Sequence, residues 1–397
     1  MRGLRPLVLA SLLGLAVPSV AAEQVFVVEY DDARLYVPVR AGAKDLGAWV
    51  LDTGVQRSIV DDGLAATLGL RTGGTEEVSG AGRGTMRRAE AGPLAVDVGG
   101  VPLRLGAVSV APFDGLLSPF LGRRVPGLVG SELFAKHRVE IDFAGRKIRV
   151  DPARPLEGPE TIEVPLRVEG GIPFASVRLV LPDGRKVEAR ALVDLGAKAN
   201  ALFTESFLGR SMRSAWTRTV RGSLGAGVGG ETRYDFGRMP RIELPGRSGS
   251  VVLEDALVGL SAEGTLRGPW GDLLLGSAFL EHWTVLLDLP HHRMVLSGPT
   301  RIRDTREHDM SGLFLLAEGA DLRTVRVHRV TPGSPAAEAG LKSGGRVVAV
   351  EGRAAEAWTL TELRERLRRR PDDVVALSVE QEGRTSPFQL RLRRLVE

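Results

Sequence analysis

The chain has 397 residues, 43% hydrophobic and 26% charged, with 49 Gly, 23 Pro and no Cys. That length exceeds what one hydrophobic core usually organises, and the balance of residues excludes an intrinsically disordered chain. The absence of Cys excludes disulfides, thiolate metal sites and a lipid-modified cysteine, and a net charge of +4 scattered along the sequence offers no concentrated basic face for nucleic acid.

Residues 1–22 begin with Arg2 and Arg5, continue with an apolar run from Leu7 to Val17, and end in Pro18, Ser19, Ala21 and Ala22. The order basic, apolar, small predicts a cleaved secretory signal peptide, its apolar run being about half the roughly 20 residues of a spanning helix. Cleavage near Ala21 or Ala22 leaves a net charge of +2 and predicts an exported protein, periplasmic or extracellular, with no integral membrane segment after processing.

Beyond the leader, short runs rich in Val and Leu alternate with Gly and Pro, which predicts a mainly β body. Ala48-Trp49-Val50-Leu51-Asp52-Thr53-Gly54 is echoed by Ala191-Leu192-Val193-Asp194-Leu195-Gly196-Ala197. Gly127-Leu128-Val129-Gly130-Ser131 is echoed by Leu273-Leu274-Leu275-Gly276-Ser277, and Val139-Glu140-Ile141-Asp142 by Val285-Leu286-Leu287-Asp288. Asp52 and Gly130 are 78 residues apart, Asp194 and Gly276 82 apart. Three landmarks in one order and nearly one register predict a duplicated β domain. The first lobe spans 23–153 and the second 160–298; the Pro-rich stretch 152–160 links them, and an Arg-rich stretch at 298–309 precedes a third unit at 309–396.

A carboxylate at the end of a buried strand is costly unless a partner offsets its desolvation. The Gly after each Asp permits a sharp turn at the rim of its lobe. Packed about a pseudo-twofold axis, the halves bring Asp52 and Asp194 together, where like charges force the pair to share a proton. One partner then activates water while the other protonates a carbonyl, which is general acid and base chemistry without a covalent intermediate. Singly, each Asp-x-Gly reads as an ordinary turn; the matched pair is what points to catalysis. Asp142 and Asp288 read as structural strand ends.

These halves resemble the retropepsin and pepsin group of aspartic peptidases, and the whole chain resembles bacterial aspartyl-protease proteins with a C-terminal PDZ domain. The resemblance implies a bilobal aspartic endopeptidase acting on polypeptide substrates, its water activated between Asp52 and Asp194, with no cofactor and no metal. It makes Thr53, Gly54, Leu195 and Gly196 the dyad-loop support and Gly130 and Gly276 the braces beneath. Gly80, Gly82 and Gly84 in the first lobe, and Gly225 and Gly227 in the second, are the flap candidates. The second Gly-rich segment formally contains G-x-G-x-x-G, but Gly237 and Pro240 follow where a dinucleotide site needs a helix, so a hairpin is expected. Leu195 stands where the family has Thr, and Val55 and Ala197 offer no hydroxyl to the carboxylates. These departures define the alternative: a catalytically inactive scaffold that binds peptides outside the cytoplasm.

From Gly312 the pattern changes to Gly312-Leu313-Phe314-Leu315, then Ser334-Pro335-Ala336 through Ala339-Gly340-Leu341, then Arg346-Val347-Val348-Ala349-Val350. This resembles the PDZ domains of bacterial exported proteases and implies an α+β module that takes peptide segments or C-termini. Gly312, Leu313, Phe314 and Leu315 then offer N–H groups to a carboxylate, and the peptide adds as a strand. Thr359 and Glu362 predict a capping box opening a helix that presents Leu363 and Leu367 on one face, as groove wall or as core. The six His are dispersed, with His291 and His292 expected to point apart on a strand, so no metal site is predicted. Ser334 belongs to the module and has no triad partners.

Overall fold

Strand alternation governs the architecture. Leu94–Val98 and Val101–Leu105 bury every second residue, as a sheet with one covered face requires. A computed structural model describes residues 23–396 except Leu224, Glu263 and Pro269; the signal-peptide expectation at 1–22 lies outside the described residues. The fold is mainly β, and none of its described helices is long and apolar enough to cross a membrane.

Ten strands of the first half form one sheet. Within it, Lys44–Leu51 runs antiparallel to Arg34–Ala41 and parallel to Gly127–Val129, which is in turn antiparallel to Ile59–Asp61. The second half repeats that arrangement. Lys186–Asp194 runs antiparallel to Ile172–Val180 and parallel to Leu273–Gly276, which is antiparallel to Ala201–Phe203. Even the next step matches, since Ile59–Asp61 lies parallel to Val108–Ala111 and Ala201–Phe203 parallel to Ser250–Ser261.

A six-stranded sheet stitches the halves together. At its centre Val139–Asp142 pairs antiparallel with Thr284–Asp288, setting Ile141 opposite Val285, and both side chains are fully buried. Gln24–Val27 and Thr161–Pro165 close its two edges. Asp142 accepts the Gly145 N–H at 2.7 Å, and Asp288 holds Arg293 at 2.9 Å and His291 at 2.6 Å, so both acids secure turns. His291 and His292 do not lie on a strand. Leu289–His291 form a single 3-10 turn there, and His292 closes it with a left-handed backbone (φ 54°).

The C-terminal sheet orders Leu313–Glu318, Thr324–Val330, Arg346–Val350, Val374–Gln381 and Arg384–Arg391 from edge to edge. It has a core of its own that includes Leu315, Val327, Leu363 and Leu390. The helix Leu360–Arg366 opens on a complete capping box: the Thr359 hydroxyl accepts the Glu362 N–H at 3.1 Å, and Glu362 accepts the Thr359 N–H at 2.7 Å. Ile141→Ala, which empties the seam between the halves, is expected to cost about 2–5 kcal/mol, read as a lower denaturant midpoint.

Candidate active site

Asp52 and Asp194 each leave the end of a strand held by a parallel neighbour. The Asp52 N–H donates to the Val129 carbonyl at 2.9 Å, and Asp194 lies in register with Gly276. Each carboxylate then accepts the N–H two residues on, from Gly54 at 2.8 Å and Gly196 at 2.9 Å. The loops cross. A methyl group added at Gly54 would lie 3.0 Å from the Asp194 carboxyl, and one added at Gly196 would collide with that of Asp52. Both positions need Gly because the opposite acid occupies the space a side chain would take.

Thr53 ties the loops together. Its fully buried hydroxyl donates to the Val193 carbonyl at 2.6 Å and accepts the Leu195 N–H at 3.0 Å. No reciprocal bond can form, because Leu195 has no hydroxyl and is itself buried in the main core. Ser277 supports that loop from below instead, donating to the Leu195 carbonyl at 2.7 Å. Beneath the first loop, Gly130 approaches so closely that a side chain would meet the backbone at Arg57 and Ser58; Gly276 does the same against Ala197 and Ala199.

The two carboxyls lie close enough that each affects the other's ionisation. Burial raises both above the usual aspartate range. Asp194, only 8% exposed, rises further because the charge of Asp52 opposes its ionisation, whereas the Gly54 N–H favours the ionised form of Asp52. The two acids therefore ionise as a pair that holds one proton between them over the range where a lone aspartate would already have lost its own. Both acids face a cavity of about 830 Å³ with Ile59, Leu128, Leu192 and Leu274 on its apolar floor.

Over this cavity the two glycine-rich segments meet. Thr72–Ser79 and Thr85–Ala91 form a hairpin whose turn carries Gly80, Gly82 and Gly84. Opposite it, Ala226–Gly227 pairs with Gly230–Glu231 in a short hairpin that follows Gly225. The Gly82 N–H donates to Val228 at 2.8 Å and the Gly84 N–H to Gly229 at 2.7 Å, joining the turns tip to tip. A side chain at Gly82 would strike the Gly229 and Gly230 backbone.

Two features of this site were not read from the sequence. The helix Phe113–Leu121 supplies a wall through Phe113, Leu117, Phe120 and Leu121. Lys198, four residues past Asp194, binds Asp32 at 2.7 Å, with Arg364 at 3.5 Å and Arg34 at 3.7 Å on the same carboxylate. Burial opposes the charge on Asp32, yet the three cations hold its carboxyl well below the usual range; burial lowers the Lys198 amine to about 7. Asp32 occupies a tight turn with φ 45°; Arg34 is a local partner, and tertiary packing brings Lys198 and Arg364 to it.

In the C-terminal module, Gly312 (φ 80°), Leu313, Phe314 and Leu315 open the edge strand. The Gly312 N–H is taken by the Asp309 carboxylate and the Leu313 N–H by the Ser311 hydroxyl at 3.0 Å. Leu363 and Leu367 face inward and belong to the module's core. No group of three His, Asp or Glu among the described residues is placed to hold a metal ion.

The PDZ domain family matches residues 326–381, so the C-terminal module is a PDZ domain. No curated protein matches the chain. Among solved structures, a photosystem II D1 C-terminal processing protease matches at 28% identity and a TM-score of 0.20, over 21% of this chain and 22% of that one. The chain thus spans about a fifth of that protein's length.

Thr53→Val, which leaves the Leu195 N–H buried without an acceptor, is expected to cost about 1–3 kcal/mol in stability, and Thr53→Ser to recover most of it. The raised carboxyls imply a further result. Their pKa values are higher folded than unfolded, so the pair favours folding most in acid and progressively less as pH climbs through the raised values. Asp194→Asn should therefore raise the thermal midpoint more at neutral pH than in acid, where protonation relieves the native pair.

Proposed function

We propose that the chain is an exported aspartic endopeptidase of the retropepsin and pepsin kind, with β lobes at 23–153 and 160–298 and a PDZ module within 309–396 that holds polypeptides. One observation carries the reading: equivalent strands of duplicated halves set Asp52 and Asp194 against each other's glycine in a roofed cavity. The order of residue types in 1–22 supports export.

The chemistry follows from the unequal carboxyls. Asp52 takes a proton from water as the oxygen attacks the scissile carbonyl carbon, and Asp194 gives its proton to the carbonyl oxygen. The tetrahedral diol then collapses: Asp52 returns its proton to the departing amine, the C–N bond breaks, and a diol hydroxyl reprotonates Asp194. Atoms and charge balance, and the dyad ends as it began. The joined turns, with Gly80 and Ala81 on the cavity wall, would have to part to admit a polypeptide.

Leu195 favours a second reading, a silent peptide-binding scaffold, because only one loop reaches across with a hydroxyl. Cleavage of a peptide library by wild type, Asp52→Asn and Asp194→Asn separates the two. Each substitution is expected to reduce cleavage roughly 10²–10⁴-fold. Wild-type activity should fall in acid as Asp52 takes up a proton, and in base as Asp194 gives up its own. Cleavage that persists in either variant removes the dyad. A wild type that binds a hydroxyl-bearing transition-state mimic without cleaving any peptide supports the scaffold.

A further inference from the structure

The PDZ module packs against the elements that surround the cavity. Phe314, on the edge strand Leu313–Glu318, sits 6.1 Å from Phe120 of the cavity-wall helix and 5.6 Å from His328, ring centre to ring centre. The Arg329 guanidinium lies over the same Phe314 ring at 5.2 Å and also binds Glu231 at 2.8 Å. Glu231 belongs to the glycine-rich hairpin that roofs the dyad, and His328 approaches it as well, at 3.6 Å. From the module's helix, Arg364 donates to the Leu315 carbonyl at 2.9 Å and reaches Asp32 at 3.5 Å. Asp32 in turn holds Lys198 of the second dyad loop, and the Thr361 hydroxyl donates to Asp31 at 3.1 Å.

The Phe120, Arg329 and Arg364 contacts all touch the strand a PDZ ligand would join, the first two at the Phe314 ring and the third at the Leu315 carbonyl. The edge strand pairs on one side only, its Leu315 carbonyl is occupied by Arg364, and the N–H of Gly312 is capped by Asp309. At one end of this groove Gly122 abuts Leu360, so the wall helix closes it. The groove is therefore shut by Arg364, Asp309 and the wall helix, and the Phe314 ring on its edge strand also carries the Arg329 that binds the roof hairpin.

We propose that the PDZ module is a ligand-operated latch: a polypeptide tail with a free carboxylate, adding beside Leu313–Glu318, releases Phe314, Arg329 and Arg364 and so frees the Glu231 hairpin. Substrate access, in the hydrolytic reading on which its purpose rests, is thereby reserved for moments when a tail is docked. A peptide entering as a strand needs the Leu315 carbonyl that Arg364 holds, and its carboxylate needs the N–H that Asp309 holds. Displacing Arg364 breaks its link to Asp32, and moving Phe314 away from Phe120 takes from Arg329 the ring it lies over while it binds Glu231. Coupling of this kind is reciprocal, so a weakened latch binds the tail more tightly.

The test uses the full chain and reads hydrogen exchange at backbone amides 226–231 together with peptide affinity by fluorescence anisotropy. The probes are a library of short peptides with free C-termini and the same library amidated. Saturating free-carboxyl peptide is expected to speed exchange at 226–231, while the amidated library leaves it unchanged. Glu231→Gln and Arg329→Gln cut the same pair from opposite sides, and each should speed exchange without peptide and tighten peptide binding about two- to fivefold, the worth of a half-buried ion pair. Unchanged exchange at saturation, unchanged affinity in both variants, or no peptide binding at all overturns the latch. None of these readouts needs cleavage, so an inactive dyad fails separately.

Discussion

Two carboxyl groups buried against each other across a seam between duplicated halves set the terms for everything around them. Burial alone works against both charges, and proximity works against the second. The surrounding structure answers with rigid positioning: parallel strands beneath each acid, glycine where the opposite carboxyl needs room, and a shared six-stranded sheet that fixes one half against the other. A softer seam would let the acids separate and ionise independently, and the shared proton would be lost.

Support for the two loops is unequal in kind as well as in number. The first loop reaches across with the Thr53 hydroxyl, a directional bond to two backbone groups. At the equivalent place in the second, Leu195 fills the core, and the loop is braced from its own side by Ser277. Apolar packing holds position without offering a proton or a lone pair, so the second loop is anchored but electrostatically plain. The difference falls on the loop of Asp194, the acid with the higher affinity for its proton.

The duplication was legible in the sequence because sheet registers depend on local apolar runs, and Val50-Leu51 and Val193 carry that pattern openly. Glycine at 54, 82 and 196 could be flagged as special, and the structure gives the reason: a backbone or carboxylate within reach of any side chain. The Thr359–Glu362 capping box was equally readable, being a four-residue motif with local geometry. Other features had no local signature. Asp32, Lys198 and Arg364 lie far apart in the chain, and nothing periodic marks them as partners. The wall helix Phe113–Leu121 is short and contains Pro119, which hides it among turn signals. Leu363 and Leu367 satisfied helical spacing for either groove or core, a choice that only burial settles.

Carboxyl-carbon NMR titration of the aspartate-labelled protein, wild type beside Asp52→Asn and Asp194→Asn, addresses the shared proton itself. One carboxyl should remain protonated well above the usual aspartate range in the wild type, and replacing Asp52 should bring the Asp194 transition down, because the opposing charge is gone. Two independent transitions at ordinary aspartate values, each indifferent to loss of the other acid, would contradict the account.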